Sequence, residues 1–177
     1  MDAAVEIREA RSEAEEADAA ELMAAYLSWG AQQLREQYDI DEAPADPTQV
    51  RAGLDAYRAP GGCLLVAYSG GRPVGVGALR QLSDGAAEIK RMYVIPEARS
   101  LGIGSGLLDR LLESATETGA TTVRLDTAGF MSAAHGLYRS RGFTDRPPYE
   151  GTEIPTHLHQ HWLFFERDLG PRAYGAR

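Results

Sequence analysis

The chain has 177 residues, 44% of them hydrophobic and 25% charged, which are ordinary values for one globular domain with its own core. Its formal net charge of −8 argues against nucleic-acid binding, and no apolar run is long enough to predict a membrane-spanning helix. One cysteine, Cys63, excludes an internal disulfide and a cysteine-based zinc site.

The N-terminal region predicts one strand followed by helices. Residues 5–8 alternate between apolar and charged side chains, as in a half-buried strand. Ser12 and Glu15 have the spacing of a capping box at the start of a helix. The Trp29-Gly30 pair is expected to end or bend that helix, with a second helical piece after it.

The rest of the chain alternates strand-like and helix-like segments after an acidic, Pro-bearing loop over residues 39–47. Thr48 is expected to cap a short helix, and Gly119 and Gly142 to end two later helices that run to about 118 and over 132–141. Strands are predicted over 63–68, 74–79, 87–94, 121–125 and 161–167, with a further one from Phe143.

The strand over 87–94 is irregular. Its apolar residues are Ile89, Met92 and Val94, and the step from 89 to 92 breaks the period of two. An extra residue in one strand of a pair produces such a break. The pattern therefore predicts a β-bulge between Ile89 and Met92.

A glycine-rich segment lies between this strand and a leucine-rich helix, where residues 99–106 read R-S-L-G-I-G-S-G. Free N–H groups at a helix start and the helix dipole favour an anion such as pyrophosphate. A P-loop is excluded because the chain has no Gly-Lys pair, and a dinucleotide fingerprint is disfavoured because the glycines are spaced G-x-G-x-G. A glycine-rich helix entrance without a ligand stays open at this point.

Two ordered motifs carry a resemblance to a known family. Residues 93–104 read Y-V-I-P-E-A-R-S-L-G-I-G, and residues 133–143 read A-A-H-G-L-Y-R-S-R-G-F. Together they resemble the acetyl-CoA-binding segment and the late helix of the GCN5-related N-acetyltransferase (GNAT) superfamily, over about residues 7–169. The resemblance implies a mixed α/β (α+β) fold: a central, mostly antiparallel twisted sheet of six to seven strands flanked by helices.

The resemblance also implies which residues hold acetyl-CoA. Residues near the bulge would pair with the pantetheine amides, and the glycine segment would hold the pyrophosphate. Many members carry an Asn that contacts the cofactor where this chain has Met131; either Ser132 substitutes for it or the contact is absent. The implied cofactor-binding residues are Met92, Tyr93, Val94, Arg99, Ser100, Leu101, Gly102, Ile103, Gly104, Ser105, Gly106 and Ser132.

Acetyl transfer to an amine needs a base for the amine and an acid for the departing thiolate. The resemblance places Tyr138 in the position of the general acid, with a cofactor hydrogen bond as its alternative role. Glu88, on the strand that leads to the glycine segment, is the base candidate; a water relay and a structural salt bridge with Lys90 or Arg91 are its alternatives. Cys63 begins an apolar run and is expected to be a buried, inert thiol.

The acceptor side is less defined. Tyr26, Trp29, Tyr149 and Glu150 are the candidate substrate-binding residues, since aromatic and acidic groups suit an ammonium. On an extended strand His157, His159 and His161 would share one face, which could bind zinc or nickel. A polar strand or loop face is the favoured interpretation, so we assign no metal ligand.

The sequence thus predicts an acetyl-CoA-dependent N-acetyltransferase in which a primary amine, on a small molecule or a protein, attacks directly in a ternary complex. A non-catalytic acyl-CoA-binding or sensing module on the same fold is the alternative. We expect one domain over residues 1–169 and a flexible tail over 170–177. We also expect a cytoplasmic protein with neither nucleic acid nor membrane as partner, and a homodimer by default.

Overall fold

The computed structural model describes residues 4–171, which form a seven-stranded sheet and four α-helices. The strands are β1 (Val5–Glu9), β2 (Cys63–Ser69), β3 (Arg72–Gln81), β4 (Ala87–Val94), β5 (Thr122–Ala128), β6 (Thr144–Arg146) and β7 (Trp162–Asp168). The helices are α1 (Glu13–Tyr38), α2 (Pro47–Ala52), α3 (Ile103–Glu117) and α4 (Ser132–Ser140). The sheet order is β1-β2-β3-β4-β5-β7-β6, and every described neighbouring pair except β4/β5 is antiparallel. The mixed, mostly antiparallel fold predicted from the sequence is confirmed.

One face of the sheet is covered by α3 and α4. The α3 side chains Leu107, Leu108 and Leu111 are fully buried against the sheet. Close approach is possible because β3 has glycines at this face: a Cβ on Gly75 or Gly77 would lie 3.0 Å from an α3 side chain. The glycines of β3 thus set the depth at which α3 sits.

The opposite face is covered by α1. Ala19, Ala20 and Met23 pack on β2 and β3, and Leu54 and Tyr57 of a short 3₁₀ helix extend the same core. The sheet is therefore the middle of three layers, with a hydrophobic core on each side.

The parallel pair β4/β5 is joined over only two residues of each strand. The recorded partners are Ala87 with Val123 and Glu88 with Arg124, and the strands diverge beyond that point. On its other side β4 pairs with β3, where Val76 faces Tyr93 but Ala78 faces Lys90, so β4 has an extra residue there. The predicted bulge is confirmed, and its Arg91 has φ of 57°.

Two local predictions were wrong, and the boundary of one predicted strand is shifted by a residue. Helix α1 is continuous from Glu13 to Tyr38 through Trp29-Gly30, because a glycine inside a long helix costs only about 1 kcal/mol and a buried face offsets it. Asp46, rather than Thr48, caps α2 by accepting a hydrogen bond from the Thr48 N–H at 2.8 Å. The segment Thr156–His161 is a 3₁₀ helix and the last strand begins at Trp162.

The capping box of Ser12 and Glu15 and the left-handed Gly119 and Gly142 are confirmed. Among residues 4–171, no helix is long and apolar enough to cross a membrane. Most of the predicted tail lies outside the described residues; within them, the Gly170 N–H donates to Asp168 Oδ1 at 2.7 Å.

Candidate active site

A cavity of about 600 Å³ lies where β4 and β5 diverge, and we call it the large cavity. Its wall comes from five elements: Trp29 of α1, the end of β4, the loop and first turn of α3, the loop before α4, and α4 itself. The cofactor-binding residues predicted from the sequence that line it are Met92, Tyr93, Val94, Arg99, Ser100, Gly102, Ile103, Gly104, Ser105 and Ser132.

The first turn of α3 gives this cavity unpaired backbone donors. Gly102 has φ of 73°, a left-handed conformation that favours glycine, and no described side chain caps the helix after it. The first internal hydrogen bond of the helix runs from Gly106 N–H to Gly102 C=O, so the N–H groups before it have no helical acceptor. Together with the helix dipole they form an anion-binding wall.

Arg99 adds a fixed positive charge beside these donors. Its Nε donates to the Val94 carbonyl at 3.2 Å, and its guanidinium lies 6.0 Å from the centre of the Trp29 ring. The other N–H groups of the guanidinium take part in neither of these two contacts. A planar guanidinium at the cavity wall suits a phosphate group.

Two predicted cofactor residues do not line the large cavity. Leu101 is 49% exposed, and Gly106 lies under β1, where a Cβ would come within 2.8 Å of Ile7 Cδ1. Gly106 is therefore a packing residue, required because α3 approaches β1 closely. The glycine spacing alone could not separate this role from contact with a ligand.

Tyr138 lies on the inner face of α4 and lines the large cavity. Its side chain is almost fully buried, and its ring packs against Phe143 and Phe165. Burial raises the pKa of Tyr138 well above its ordinary value, and the negative charge of Asp126 acts in the same direction. The hydroxyl is therefore protonated at neutral pH.

A second cavity of about 330 Å³, the small cavity, lies on the α1 side of the same split. Its charged lining residues are Glu42, Arg91 and Asp126, and the rest of its wall is mainly apolar. Tyr26 and Trp29, which the sequence assigned to the acceptor side, line it. Their rings are 6.4 Å apart.

The two cavities share three lining residues: Trp29, Phe130 and Met131. Trp29 and Phe130 meet edge to face with centroids 5.6 Å apart. Met131 occupies the predicted Asn position, and its sulfur accepts hydrogen bonds from Tyr26 at 3.8 Å and Thr127 at 3.7 Å. The residue that departs from the family's pattern thus ties the loop before α4 to α1 and β5.

A buried charge cluster underlies the small cavity, and Glu88 is its most enclosed member at 0% exposure. The Arg80 Nε donates to Glu88 Oε2 at 2.5 Å, and the Tyr149 hydroxyl donates to Oε1 at 2.7 Å. Lys90 Nζ lies 3.7 Å from Oε1. Both carboxylate oxygens are therefore occupied, and Glu88 lines neither cavity.

Lys90 links Glu88 to two further carboxylates. Its Nζ lies 3.0 Å from Asp126 Oδ2 and 3.4 Å from Glu153 Oε2, and Arg91 lies 3.2 Å from the same Glu153 oxygen. Burial alone would lower the pKa of Lys90, but Asp126, Glu88 and Glu153 together raise it. The cluster of Arg80, Glu88, Lys90, Arg91, Asp126 and Glu153 contains three cations and three carboxylates.

The other two acceptor candidates lie away from the small cavity. Tyr149 is buried behind it, and burial together with Asp126 and Glu88 raises the pKa of its phenol. Glu150 is exposed and lines neither cavity. Asp126 lines the small cavity but was not predicted from the sequence. The feature that could have indicated it is a polar residue inside the strand 122–128.

The histidine segment does not have the arrangement considered from the sequence. His159 Nε2 bonds to the Ile154 carbonyl at 2.9 Å, and His161 stacks on Tyr38 at 4.1 Å. In the 3₁₀ helix the three imidazoles do not share a strand face. Within residues 4–171 no group of three or more His, Cys, Asp or Glu side chains could hold a metal ion.

Cys63 is buried, as predicted, and lines neither cavity. Burial raises the pKa of its thiol. A thiol with a raised pKa is a poor nucleophile, because the thiolate is the reactive form. Covalent catalysis by Cys63 has no support from its position.

The chain is similar in sequence to a protein family and to individual acetyltransferases. The Acetyltransferase (GNAT) family matches residues 19–143. The IAA acetyltransferase of Azospirillum brasilense is 35% identical over 135 residues, which cover 76% of this chain and 85% of that protein. The N-acetylaspartate synthetase of Xenopus tropicalis is 35% identical over 112 residues, 62% of this chain and 41% of that protein.

The solved structures agree with the sequence matches. The structure of YncA from Salmonella typhimurium with its cofactor acetyl-CoA has a TM-score of 0.67 and 23% identity, and covers 98% of each chain. That likeness shows the fold, while the matches of sequence show the family. With its split β4/β5 pair and its glycine-rich entry to α3, the chain belongs to the GNAT family of acetyltransferases.

Proposed function

We propose that the protein transfers an acetyl group from acetyl-CoA to a primary amine by direct attack within a ternary complex. The carrying observation is the pair of cavities that meet at Trp29, Phe130 and Met131 on either side of the β4/β5 split. Two pockets that share a wall allow two molecules to be held at once with their reacting ends together.

The large cavity suits acetyl-CoA in its chemistry. The N–H groups at the start of α3 and the guanidinium of Arg99 would hold the pyrophosphate, and the free edge of β4 near Met92 and Tyr93 would pair with the pantetheine amides. Bound acetyl-CoA supplies a thioester whose acetyl group is activated for transfer to an amine.

Tyr138 and Asp126 would carry the proton transfers. The Tyr138 hydroxyl stays protonated because its pKa is raised, and its place on the wall of the large cavity would let it donate to the thiolate as that group leaves. Asp126 faces the small cavity, where its carboxylate can hold the acceptor ammonium and take a proton directly or through water.

Glu88 keeps a place in the proposal, but in a changed role. Because both of its oxygens are bonded and its side chain is enclosed, it reaches the amine only through Asp126, Lys90 or a water molecule. The direct-base role stays a prediction of the sequence. We assign Glu88 the positioning of Arg80, Lys90 and Tyr149 behind Asp126.

The test is release of CoA thiol from acetyl-CoA in the presence of primary amines, with calorimetry of acetyl-CoA binding on the same preparation. Amine-dependent release is the expected result. Acetyl-CoA binding without release in any amine would favour the non-catalytic acyl-CoA-binding module. Absence of both binding and release would contradict the proposed function.

A further inference from the structure

The small cavity has opposite charges on an otherwise mainly apolar wall. Arg91 comes from the β4 bulge and Asp126 from β5, on the two sides of the strand split. Lys90 and Glu153 connect them through contacts of 3.0, 3.4 and 3.2 Å. The wall thus presents a cation and an anion that belong to one connected cluster.

Arg91 has donor capacity to spare. One of its terminal nitrogens contacts Glu153, and 26% of its side chain stays exposed. A guanidinium has five N–H donors in a planar fork, which suits a carboxylate. The bulge places this arginine at the cavity, since Arg91 is the β4 residue in the left-handed conformation at the register shift.

Charge balance indicates what the cavity accepts. The buried cluster contains equal numbers of cations and carboxylates, and the third charged lining residue, Glu42, is exposed to solvent, so a ligand with a single charge would leave the cluster unbalanced. A zwitterion preserves the balance, because its ammonium meets Asp126 while its carboxylate meets Arg91. Both groups of an α-amino acid would then be paired as they leave water.

The rest of the wall indicates the kind of side chain. Glu42, on the exposed rim, repels an acidic side chain. The cavity volume of about 330 Å³ suits a small molecule. Besides Tyr26 and the shared residues Trp29, Phe130 and Met131, the larger apolar side chains of the wall are Leu27, Leu34, Ile154, Leu158 and Trp162.

We propose that the acceptor is a free α-amino acid with an apolar side chain, bound by Asp126 at its ammonium and by Arg91 at its carboxylate. This inference rests on the proposed acetyltransferase function and specifies its acceptor. In the reaction the ammonium first loses one proton through Asp126 to solvent. The amine nitrogen then forms a bond to the acetyl carbon, the carbon–sulfur bond breaks, and the second proton lost by the nitrogen balances the one that the CoA thiol gains from Tyr138. The product is an N-acetyl amino acid, which has lost the ammonium charge and so its attraction to Asp126.

The experiment measures CoA thiol release with L-leucine and with relatives that each lack one feature. 3-Methylbutylamine lacks the carboxylate, leucinamide has an amide in its place, L-aspartate has an acidic side chain, and spermidine has only amines. We expect kcat/KM for L-leucine to exceed that for each of these compounds by about tenfold or more, since charge-assisted bidentate pairing is lost or opposed.

Variants locate the effect. Arg91→Gln should lower kcat/KM for L-leucine by about tenfold or more beyond any loss for 3-methylbutylamine, because only the amino acid has a carboxylate to lose. Arg91→Lys should restore part of the loss. Arg110→Gln removes an exposed arginine of α3 that lines neither cavity and serves as the matched control.

The possible outcomes distinguish a failure of the amino-acid inference from a failure of the proposed acetyltransferase function. If 3-methylbutylamine, spermidine or L-aspartate equals or exceeds L-leucine while CoA is released, the amino-acid inference is overturned and the acetyltransferase function stands. An equal loss for L-leucine and 3-methylbutylamine in Arg91→Gln overturns the role of Arg91. If acetyl-CoA does not bind and no compound releases CoA, both proposals fall.

Discussion

The two cavities on either side of the strand split are built in different ways. The large cavity owes its anion-binding character to backbone N–H groups at the start of α3, in one segment that begins at Arg99. The small cavity owes its charge to Arg91 and Asp126, which come from different strands. The rest of its wall includes residues of α1 and of the 3₁₀ helix Thr156–His161. The ligand preference of a site built from backbone donors does not depend on side-chain identity. The ligand preference of a site built from side chains changes when one of those residues is exchanged.

The difference also sets what each cavity tolerates. A backbone-built site is insensitive to most side-chain changes and fails when a side chain enters the space of the ligand. A charge-built site fails when one partner is removed, since the rest of the cluster is left unbalanced. The predictions below act on one cavity at a time.

The largest effect is expected from Gly104→Glu, which places a carboxylate at the large cavity. A Cβ at this position would meet only Leu137 Cδ2 at 3.6 Å, an ordinary contact, so the protein should fold. Repulsion of the pyrophosphate should weaken acetyl-CoA binding about a hundredfold or more, measured by calorimetry.

Gly136→Glu is the matched control for this change. Gly136 lies on α4 in open space and lines neither cavity, so acetyl-CoA should bind as to the wild type. Wild-type affinity in Gly104→Glu would contradict the assignment of the pyrophosphate to the start of α3.

Glu88→Gln should act on the charge cluster and therefore on stability. The new amide has only one acceptor oxygen, so its NH2 group would face a former donor, either the Arg80 Nε or the Tyr149 hydroxyl beside Lys90, inside a fully buried site. We expect the free energy of unfolding to fall by about 3 kcal/mol, measured by urea denaturation.

The exposed pair Arg139–Asp145 provides the comparison. Asp145→Asn should cost less than about 1 kcal/mol, because both partners are solvated. Equal losses in Glu88→Gln and Asp145→Asn would mean that the buried cluster contributes no more than a surface salt bridge.

Tyr138→Phe should lower kcat by about a hundredfold while the Kd for acetyl-CoA changes by no more than about twofold, because only the proton donor is removed. The raised pKa also predicts that kcat does not decline through loss of this proton at alkaline pH up to about 10, the ordinary tyrosine value.

Tyr57→Phe removes the hydroxyl of another buried tyrosine that lines neither cavity. Its kcat should match the wild type. An unchanged kcat in Tyr138→Phe as well would reduce Tyr138 to a packing residue.

The smallest expected effect is on the pH dependence of stability, and it should come from the charge cluster behind the small cavity. Burial alone would raise the pKa of Glu153, but Lys90, Arg91 and Arg80 lower it overall. A lowered pKa in the folded state gives stability that is present above the unfolded value of about 4.3 and is lost as the pH falls through the folded value.

Thermal unfolding followed by circular dichroism between pH 7 and 3 measures this contribution. The decline of Tm in acid should be shallower in Glu153→Gln than in the wild type. Glu113→Gln, an exposed change on α3, should reproduce the wild-type slope. A wild-type slope in Glu153→Gln would exclude Glu153 as a source of acid sensitivity.

The contrast between the cavities also explains what the sequence could predict. The bulge of β4 and the glycine-rich entry to α3 depend on short local patterns and are confirmed, whereas Tyr138 lines the large cavity and its role as the acid stays a prediction. The family assignment depends on the same patterns. The resemblance rests on two contiguous motifs, and residues of both motifs line the large cavity.

The small cavity could not be predicted in the same way. Arg91 and Asp126 are 35 positions apart in the chain and meet only because β4 and β5 are adjacent and then diverge. Glu88 and Tyr149 have residue types suited to an active site, but pair with each other behind it. Such pairings depend on register and on which face of a strand a residue occupies, which composition and spacing leave open.

The most direct test of simultaneous occupancy is the initial rate of CoA release with acetyl-CoA and an accepted amine varied together. Direct transfer between two filled cavities predicts double-reciprocal lines that intersect, because both molecules are bound when the acetyl group moves. Parallel lines, the pattern of a ping-pong reaction through an acetylated enzyme, would contradict the account.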